Sequence, residues 1–398
     1  MGDIEQKEGF LRQGKINVFY DIRGEMVKMF QFKRTLSVGA IATSLTMITG
    51  GVWAAEKPTI QIAILLDSSN SMDGLIDQTR RQLWTVVNAL TDVRKDGEIP
   101  DLEVALYHYG NDSLPPDEGF NRQLTDFTTE LDGVSEALFT IRTNGGQEYS
   151  GWVIQDAINQ LNWDSDPEDF RTIFIAGNEP FDQGSVNWAE AVNLAKNQDV
   201  LVNTIYCGNA ESRERDLWAA GAELGDGANF NIDQNRAVVI QPSPYDAEIR
   251  RLNDELNQTY LPYGSLGEQG LERQLVQDAN AGAAIVTRGI SKSSAYYRNS
   301  SWDLVDAIAE AEVSLETLAE TALPEELQGL SLAEQEAYIA NTQAEREQIQ
   351  AQIRDLTAQR EAYLSSLPTD EDAKDTLDYV MIQALRSQLA RKGFVLPR

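Results

Sequence analysis

From Lys57 to about Arg236, apolar runs of strand length alternate with stretches of helical periodicity. The first run, Ile60–Leu66, is almost continuously hydrophobic, as expected of a strand that is covered on both faces of a parallel sheet. The segment Asp73–Leu90 follows, with apolar residues at helical spacing. This alternation predicts an α/β fold, with a doubly wound, mostly parallel sheet flanked by helices.

The same pattern continues along the chain. Further strands are predicted at Leu102–Tyr109, Arg122–Phe127, Arg171–Ala176, Val200–Cys207 and Asn229–Ile232. The helices between them are predicted at Leu131–Ile141, Gly151–Leu161 and Asn187–Lys196. We therefore expect an α/β domain over residues 57–240.

The chain of 398 residues is longer than one such domain requires. Helical patterns at Tyr245–Gln258 and Gly267–Ala281 predict a helical appendage, residues 241–312, that packs on the α/β domain. Residues 313–398 are predicted to form a further helical extension. The expected fold class is thus α/β followed by a helical C-terminal extension.

A long helix is predicted to begin at Ser331, which forms a capping-box pattern with Glu334. Within residues 331–366, positions spaced by three and four follow a heptad pattern that is typical of coiled coils. The seam also holds Thr342 and two arginines, which weakens that interpretation. Two alternatives therefore stay open: self-association or partner binding through a coiled coil, or a helix folded back on its own domain.

Charge excludes several classes of partner. The sequence has 33 Lys and Arg against 63 Asp and Glu, a formal net charge of −30. Nucleic acids and anionic lipid surfaces bind clustered positive charge, so we expect a protein partner, no nucleic acid and no peripheral lipid binding. The only cysteine is Cys207 and the only histidine is His108, which excludes a disulfide framework and a zinc cluster within the chain. With the strand order expected for this class, these two residues lie roughly 14 Å apart, too far for a catalytic pair.

The N-terminal region is typical of an export signal. Lys33 and Arg34 precede an apolar-rich stretch, and small residues follow it around Ala54, which predicts a signal peptide at residues 29–54 that is cleaved after Ala54. Residues 1–28 are then a leader or lie before the true start at Met26 or Met29. The chain is accordingly expected to be exported to the periplasm or the cell exterior, with an N-terminal membrane anchor as the alternative.

The chemistry of the chain is concentrated directly after the first strand, where Asp67, Ser69 and Ser71 form an Asp-x-Ser-x-Ser motif. Ligands of open α/β sheets bind beyond the carboxyl ends of the strands. A carboxylate and two hydroxyls at that place are oxygen ligands that suit Mg²⁺ or Mn²⁺. The motif therefore predicts a divalent cation site.

This segment resembles the von Willebrand factor type A (VWA) domain with its metal-ion-dependent adhesion site. The resemblance covers about Lys57 to Asn235 and includes the glycine pair Gly145-Gly146. It is closest to a subgroup of exported bacterial proteins that carry Ile-Ala-Gly-Asn-Glu-Pro-Phe, here Ile175–Phe181. The resemblance implies a non-enzymatic protein-binding module in which an acidic side chain of the partner completes the coordination of the ion.

Three loops supply the metal ligands in that family. Asp67, Ser69 and Ser71 match the first loop completely. The second loop normally supplies a threonine after its glycines, and alignment by the following helix places Glu148 there, with Gln147 as the nearby alternative.

The third loop departs from the family pattern as well, because Gly177 occupies the place of its usual aspartate. The negative charge around the ion is nevertheless conserved if Glu148 joins Asp67. We hypothesise that Glu148 is a ligand, directly or through water, with Asn178 and Glu179 as candidate outer-shell groups. The alternative is a remnant site in which the first loop only caps the next helix.

Two further functions stay open. The chain could be a metal-independent structural or assembly protein of the cell envelope that acts through its helical extension. It could also be a metal-assisted hydrolase, although the sequence offers no general base with a credible neighbour.

Overall fold

The structure is a computed structural model. It describes residues 57–233, 235, 240–368 and 376–396, together with the backbone of residues 19–20 and 26–27. The chain divides into two compact units, Met1–Ala55 and Glu56–Arg398. In the first unit, β1 (Phe19–Tyr20) pairs antiparallel with β2 (Met26–Val27).

The predicted signal peptide, residues 29–54, lies outside the described residues, as does the leader apart from these two strands. None of the helices that the structure describes is both long enough and apolar enough to cross a membrane. Cleavage after Ala54 and N-terminal anchoring both stay predictions.

The second unit is built on a six-stranded sheet with the order β5-β4-β3-β6-β7-β8. The strands are β3 (Thr59–Asp67), β4 (Asp101–Tyr109), β5 (Asn121–Thr128), β6 (Phe170–Gly177), β7 (Leu201–Tyr206) and β8 (Asp226–Asn231). Neighbouring strands are parallel except at the edge, where β5 runs antiparallel to β4. The predicted α/β class with a doubly wound, mostly parallel sheet is confirmed, and the strand order is one that doubly wound α/β folds share.

Alternate residues of the central strand face two helical layers. Ile62 and Ile64 of β3 belong to the core under one layer, and Ala63 and Leu65 belong to the core under the other. The first layer contains α1 (Asp73–Asn88), α2 (Leu131–Thr140) and α11 (Leu377–Arg391). The second contains α3 (Ser150–Gln160), α4 (Trp188–Asn197) and α5 (Arg213–Leu224). Sequence analysis missed α5, whose apolar residues are mostly alanine and glycine.

The C-terminal helix α11 belongs to the sheet domain. It packs on α1 and on β8, and the amide of Asn203 in β7 donates to the side-chain oxygen of Gln388 at 3.1 Å. Just beyond the helix, the Phe394 ring lies 6.5 Å from that of Phe170. The predicted helical C-terminal extension is confirmed, and its last helix also completes a layer of the α/β domain.

The segment between β8 and α11 contains the predicted appendage, residues 241–312, and the first helix of the predicted extension. Its helices are α6 (Asp246–Asn257), α7 (Gly267–Ala281), α8 (Ile285–Lys292), α9 (Leu304–Ala309) and α10 (Leu332–Ser365). Helix α8 contacts α1, and α7 contacts α2, so the appendage packs on the sheet domain. Helix α8 was not predicted from the sequence, and a single 3₁₀ turn, Glu325–Leu327, precedes α10.

The heptad face of α10 lies against the rest of the chain. The capping box of Ser331 and Glu334 is present, and three isoleucines of the seam are buried, Ile339, Ile349 and Ile353. The two seam arginines are paired, Arg346 with Asp303 at 2.7 Å and Arg360 with Asp246 at 3.0 Å. The helix is therefore folded back on its own domain, and self-association through residues 331–366, which stays a prediction, would have to use another face.

Candidate metal centre

The candidate site lies where two neighbouring parallel strands end at the same edge of the sheet. Strand β3 ends at Asp67 and β6 ends at Gly177, and their last paired residues are Leu66 and Ala176. The chain leaves β3 toward the layer that contains α1 and leaves β6 toward the layer that contains α4, so a crevice opens between the two loops that follow these strands. This is the usual place for a ligand in an open α/β sheet.

Backbone hydrogen bonds join the first two site loops. The N–H of Asn70 donates to the carbonyl of Gly145 at 2.9 Å, and that of Asn144 donates to the carbonyl of Ser68 at 3.1 Å. The N–H of Ser68 donates to Tyr109 at the end of β4, at 2.8 Å. The position of the first loop is thus set by the second loop and by the sheet.

Asp67 and Glu148 form a buried carboxyl pair. Their side chains are 0% and 4% exposed, they contact each other through a hydrogen bond, and the Ser69 hydroxyl contacts both. Burial, and then the charge of Asp67, raise the pKa of Glu148 to about 10. Burial raises the pKa of Asp67 to about 6, against hydrogen bonds from Glu148 and Ser69 that lower it. Two carboxyl groups so placed ionise together only if a positive charge joins them.

Apart from the contact between the two carboxyl groups, three side-chain oxygens here are buried without a hydrogen-bond partner among the described residues: Asp67 Oδ2, Glu148 Oε2 and Asn178 Oδ1. A chain of polar contacts links them, since the amide of Asn178 donates to Ser71 Oγ at 3.1 Å and Ser71 Oγ lies 3.2 Å from Ser69 Oγ. Buried acceptors without donors are costly and rare in folded proteins. A bound cation would give each of these three oxygen atoms a partner.

The donor set is made of carboxylate, hydroxyl and amide oxygens, which are the ligands of hard cations such as Mg²⁺ and Mn²⁺. Within the described residues, no group of three or more His, Cys, Asp or Glu side chains could hold a metal ion. A site here therefore needs the hydroxyls of Ser69 and Ser71 as well as the two carboxylates.

Two glycines leave room for the carboxyl pair. A Cβ atom at Gly110 would lie 2.7 Å from Glu148 Cγ and 2.9 Å from Asp67 Oδ1. One at Gly146 would lie 2.8 Å from Ser69 Cβ and 3.1 Å from Glu148 Oε1. Gly110 also has a φ of +73°, which favours glycine on its own.

The hydroxyl of Tyr109 leaves no room for a side chain at position 177. A Cβ atom at position 177 would lie 2.5 Å from Tyr109 Oη, 3.1 Å from Trp218 Cη2 and 3.3 Å from Asp67 Cβ. The Tyr109 hydroxyl is buried and donates to the carbonyl of Ala176 at 3.1 Å. A third-loop aspartate is therefore sterically excluded, which explains why the second carboxylate approaches Asp67 from Glu148 instead. Tyr109 is the last residue of β4, and nothing in the sequence around it predicted its contact with Gly177.

The remaining candidates take different positions. Gln147 is exposed, and its side-chain oxygen accepts from the Tyr149 hydroxyl at 3.4 Å, so Glu148 is the residue brought to Asp67. The exposed Glu179 acts through space, since its charge contributes to the raised pKa of both buried carboxyls. Asn178, predicted as an outer-shell group, contacts Ser71 directly.

His108 and Cys207 are kept apart by the sheet. His108 is on β4 and Cys207 follows β7, with β3 and β6 between them. The His108 ring lies 2.9 Å from Ser68 Oγ, and burial, with the charge of Arg122, lowers its pKa to about 4. Ser68 is 0% exposed and Cys207 belongs to the core under α1. Both predicted strand positions are thus packing positions, and no nucleophile and base are exposed there.

No protein-family model matches the sequence, and no curated protein matches it. Among solved structures, a von Willebrand factor type A structure from Catenulispora acidiphila is 16% identical with a TM-score of 0.34, over 45% of this chain and 39% of that one. Proximal thread matrix protein 1 from the mussel byssus is 12% identical with a TM-score of 0.33, over 44% and 41%. An aerotolerance-related membrane protein from Bacteroides fragilis is 15% identical with a TM-score of 0.30, over 44% and 93%.

These matches cover about two fifths of the Catenulispora and mussel chains. Another structure of the mussel protein has zinc in its MIDAS motif. At these identities the similarity is one of fold. The doubly wound α/β fold of this chain therefore rests on its own strand order and on the helices that cover both faces of the sheet.

Proposed function

We propose that this chain is an exported, non-enzymatic protein-binding module. In this proposal Asp67, Ser69, Ser71 and Glu148 hold one divalent cation, Mg²⁺ or Mn²⁺, and a carboxylate of a partner protein completes its coordination. The observation that carries the proposal is the convergence of buried, unpartnered acceptor oxygens on Asp67, Glu148 and Asn178.

Charge balance supports a cation over a purely structural role. With no cation, Asp67 and Glu148 face each other inside the protein and their pKa values are raised. A bound divalent ion would neutralise both carboxylates and would supply a Lewis acid for an incoming oxygen ligand. Since the two carboxylates are buried while Ser71 is exposed, a neutral hydroxyl lies on the solvent side of the site, and the exposed Glu179 is the nearby negative charge that a partner carboxylate would have to approach.

The overall charge restricts how a partner approaches. The chain has a net charge of −30, which repels acidic proteins at long range. At physiological salt this repulsion is screened beyond about 8 Å. We therefore expect recognition to depend on short-range coordination, with a modest association rate.

The binding of the ion is tested by isothermal titration calorimetry of the full chain after chelator treatment, with Mg²⁺ and with Mn²⁺. We expect one ion per chain, and at least a tenfold loss of affinity in Glu148→Gln because one ligand is lost. Glu179→Gln is the matched control, since Glu179 is exposed and close by, and we expect less than a threefold change. Unchanged affinity in Glu148→Gln would eliminate the proposed ligand role.

Recognition of a carboxylate is tested by recovering partners from cell envelope extract on immobilised protein, with and without EDTA. The proposal expects partners that EDTA releases, that Mg²⁺ restores and that Asp67→Asn does not retain. Binding that is indifferent to EDTA would instead support the metal-independent assembly function. Ester or peptide hydrolysis that is lost in Asp67→Asn would support the hydrolase.

A further inference from the structure

A second surface of the molecule carries an exposed apolar patch, on helix α7 and far along the chain from the site loops. Leu266, Leu275 and Val276 are 50%, 48% and 45% exposed. Leu275 and Val276, with Pro262 and Leu271, line a shallow groove of about 440 Å³, and Leu266 lies just before the helix. We call this groove, with its lining residues, the α7 groove. Contiguous exposed apolar residues on a soluble protein usually mark an interaction surface.

The other side of α7 is buried and packs closely against the rest of the chain. A Cβ atom at Gly270 would lie 2.2 Å from the Trp302 ring, and one at Gly267 would lie 2.8 Å from the backbone of Pro262. Gln274 and Gln277, on the same buried side, bond to the appendage and to α2, with Ser135 donating to Gln277 at 2.9 Å. The helix is thus fixed by its buried side, while Leu275 and Val276 on the other side are about half exposed.

The charges of the α7 groove are acidic. Its lining includes Glu268 and Glu272, both exposed, and no basic residue. The nearest arginine on the helix, Arg273, is paired with Glu136 at 2.8 Å and with Glu130 at 3.7 Å. An apolar groove along a helix, with carboxylates beside it, complements an amphipathic helix with basic flanks.

The same charges disfavour two other occupants. A second copy of this chain on the groove would bring Glu268 and Glu272 close to the same glutamates of its partner, which costs free energy. An anionic lipid surface would be repelled by these carboxylates and by the net charge of −30.

We propose that the α7 groove binds an amphipathic helix of another protein, with apolar residues at positions i, i+3, i+4 and i+7 and with Lys or Arg on its flanks. This surface is separate from the proposed cation site and does not depend on it. The two surfaces together would allow one partner to be held at two places, or two partners to be held at once.

The test uses three fluorescent 18-residue peptides and the full chain, with binding followed by fluorescence anisotropy at 150 mM salt. The probe peptide has leucines at the four helical positions and lysines elsewhere on its flanks. One control peptide replaces the lysines by glutamates, and the other replaces the leucines by serines. We expect the probe to bind at least tenfold more tightly than either control, with and without EDTA.

The double variant Leu275→Gln, Val276→Gln is expected to bind the probe at least tenfold more weakly than wild type. Tyr379→Gln on α11, where Tyr379 is 38% exposed, is the matched control and should bind as wild type does. Glu268→Gln with Glu272→Gln should weaken binding severalfold and reduce its salt dependence. Circular dichroism melting checks that each variant is folded, which is expected because all these side chains are exposed.

If the probe binds equally to wild type and to the double variant Leu275→Gln, Val276→Gln, the proposal is overturned, since charge alone would then explain the binding. Equal binding of the glutamate peptide would overturn it as well. Light scattering that shows a dimer lost in the leucine variant would assign the groove to a second copy. Flotation with phosphatidylglycerol vesicles that is lost in that variant would assign it to lipid.

Discussion

Two groups of buried charges in this chain differ in whether the carboxylates are paired with cationic side chains. In the first, which we call the α8 ion network, Arg288 and Lys292 of α8 lie between Asp132 and Asp278. Arg288 Nε donates to Asp278 at 2.5 Å, Lys292 Nζ lies 3.1 Å from the same carboxylate, and Arg288 also bonds to Asp132. In the second, Asp67 faces Glu148, and neither has a cationic partner among the described residues.

Opposite pKa shifts follow from this difference. Burial acts to raise the pKa of Asp278, but the charges of Lys292 and Arg288 outweigh it and lower that pKa to about 2. At the candidate site burial and a second carboxylate act in the same direction, and the pKa of Glu148 rises to about 10. Burial of charge alone therefore does not identify a functional site. A buried carboxylate whose counter-charge is missing from the chain does point to a ligand from outside.

Removal of one carboxylate from the α8 ion network is expected to have the largest effect. Asp278→Asn removes a carboxylate that balances the charges of Arg288 and Lys292, both 0% exposed. It should therefore lower the free energy of unfolding by about 3–5 kcal/mol. Urea unfolding followed by tryptophan fluorescence measures this change.

Glu148→Gln, measured without divalent ions, is the contrasting variant. Glu148 is protonated in the folded domain at neutral pH, and glutamine is a neutral side chain of the same shape, so the change should stay within about 1 kcal/mol. Equal losses in Asp278→Asn and Glu148→Gln would contradict the distinction between the two groups of charges.

Gly177→Ala tests the steric reason for the unusual arrangement of the carboxyl pair. The added methyl group would lie 2.5 Å from Tyr109 Oη, and such overpacking should cost about 1–3 kcal/mol. Gly133→Ala in α2 is the control because nothing lies within 4 Å of its new Cβ, and it should stabilise by about 0.5–1 kcal/mol. A neutral Gly177→Ala would show that Tyr109 does not close this position.

The pH dependence of the α8 ion network tests the ion pairing from the side of the carboxylate. The pKa of Asp278 is lowered from 3.8 to about 2 in the folded chain, so its stabilising contribution is complete above pH 3.8 and is lost as the pH falls through about 2. The difference in unfolding free energy between wild type and Asp278→Asn should therefore shrink by about 2 kcal/mol between pH 4 and pH 2. A difference that stays constant over this range would rule out the ion pairing.

Sequence patterns could predict the sheet and the loops of the site because strand and helix periodicities are local. The motif at Asp67 and the helix after Glu148 were enough to place both carboxylates at one edge. The Tyr109–Gly177 contact could not be predicted, because it joins residues 68 positions apart whose spacing carries no pattern. The place of α11 in the sheet domain was missed for the same reason.

The arginines of α10 show the same limit. In the heptad pattern, Arg346 and Arg360 only weaken a coiled coil. In the structure they are ion-paired to Asp303 and Asp246, on elements that sequence analysis could not bring next to α10. Charge pairing across the fold therefore holds this face of α10 against its own domain, which periodicity could not predict.

The most direct measurement is anomalous diffraction from crystals of the full chain grown with Mn²⁺. We expect one anomalous peak at the carboxyl end of β3, within coordination distance of Asp67 and Glu148, with the contact between these two carboxyl groups opened by the ion. Crystals without such a peak, in which Glu148 still donates its proton to Asp67 at millimolar Mn²⁺, would contradict the proposed cation site.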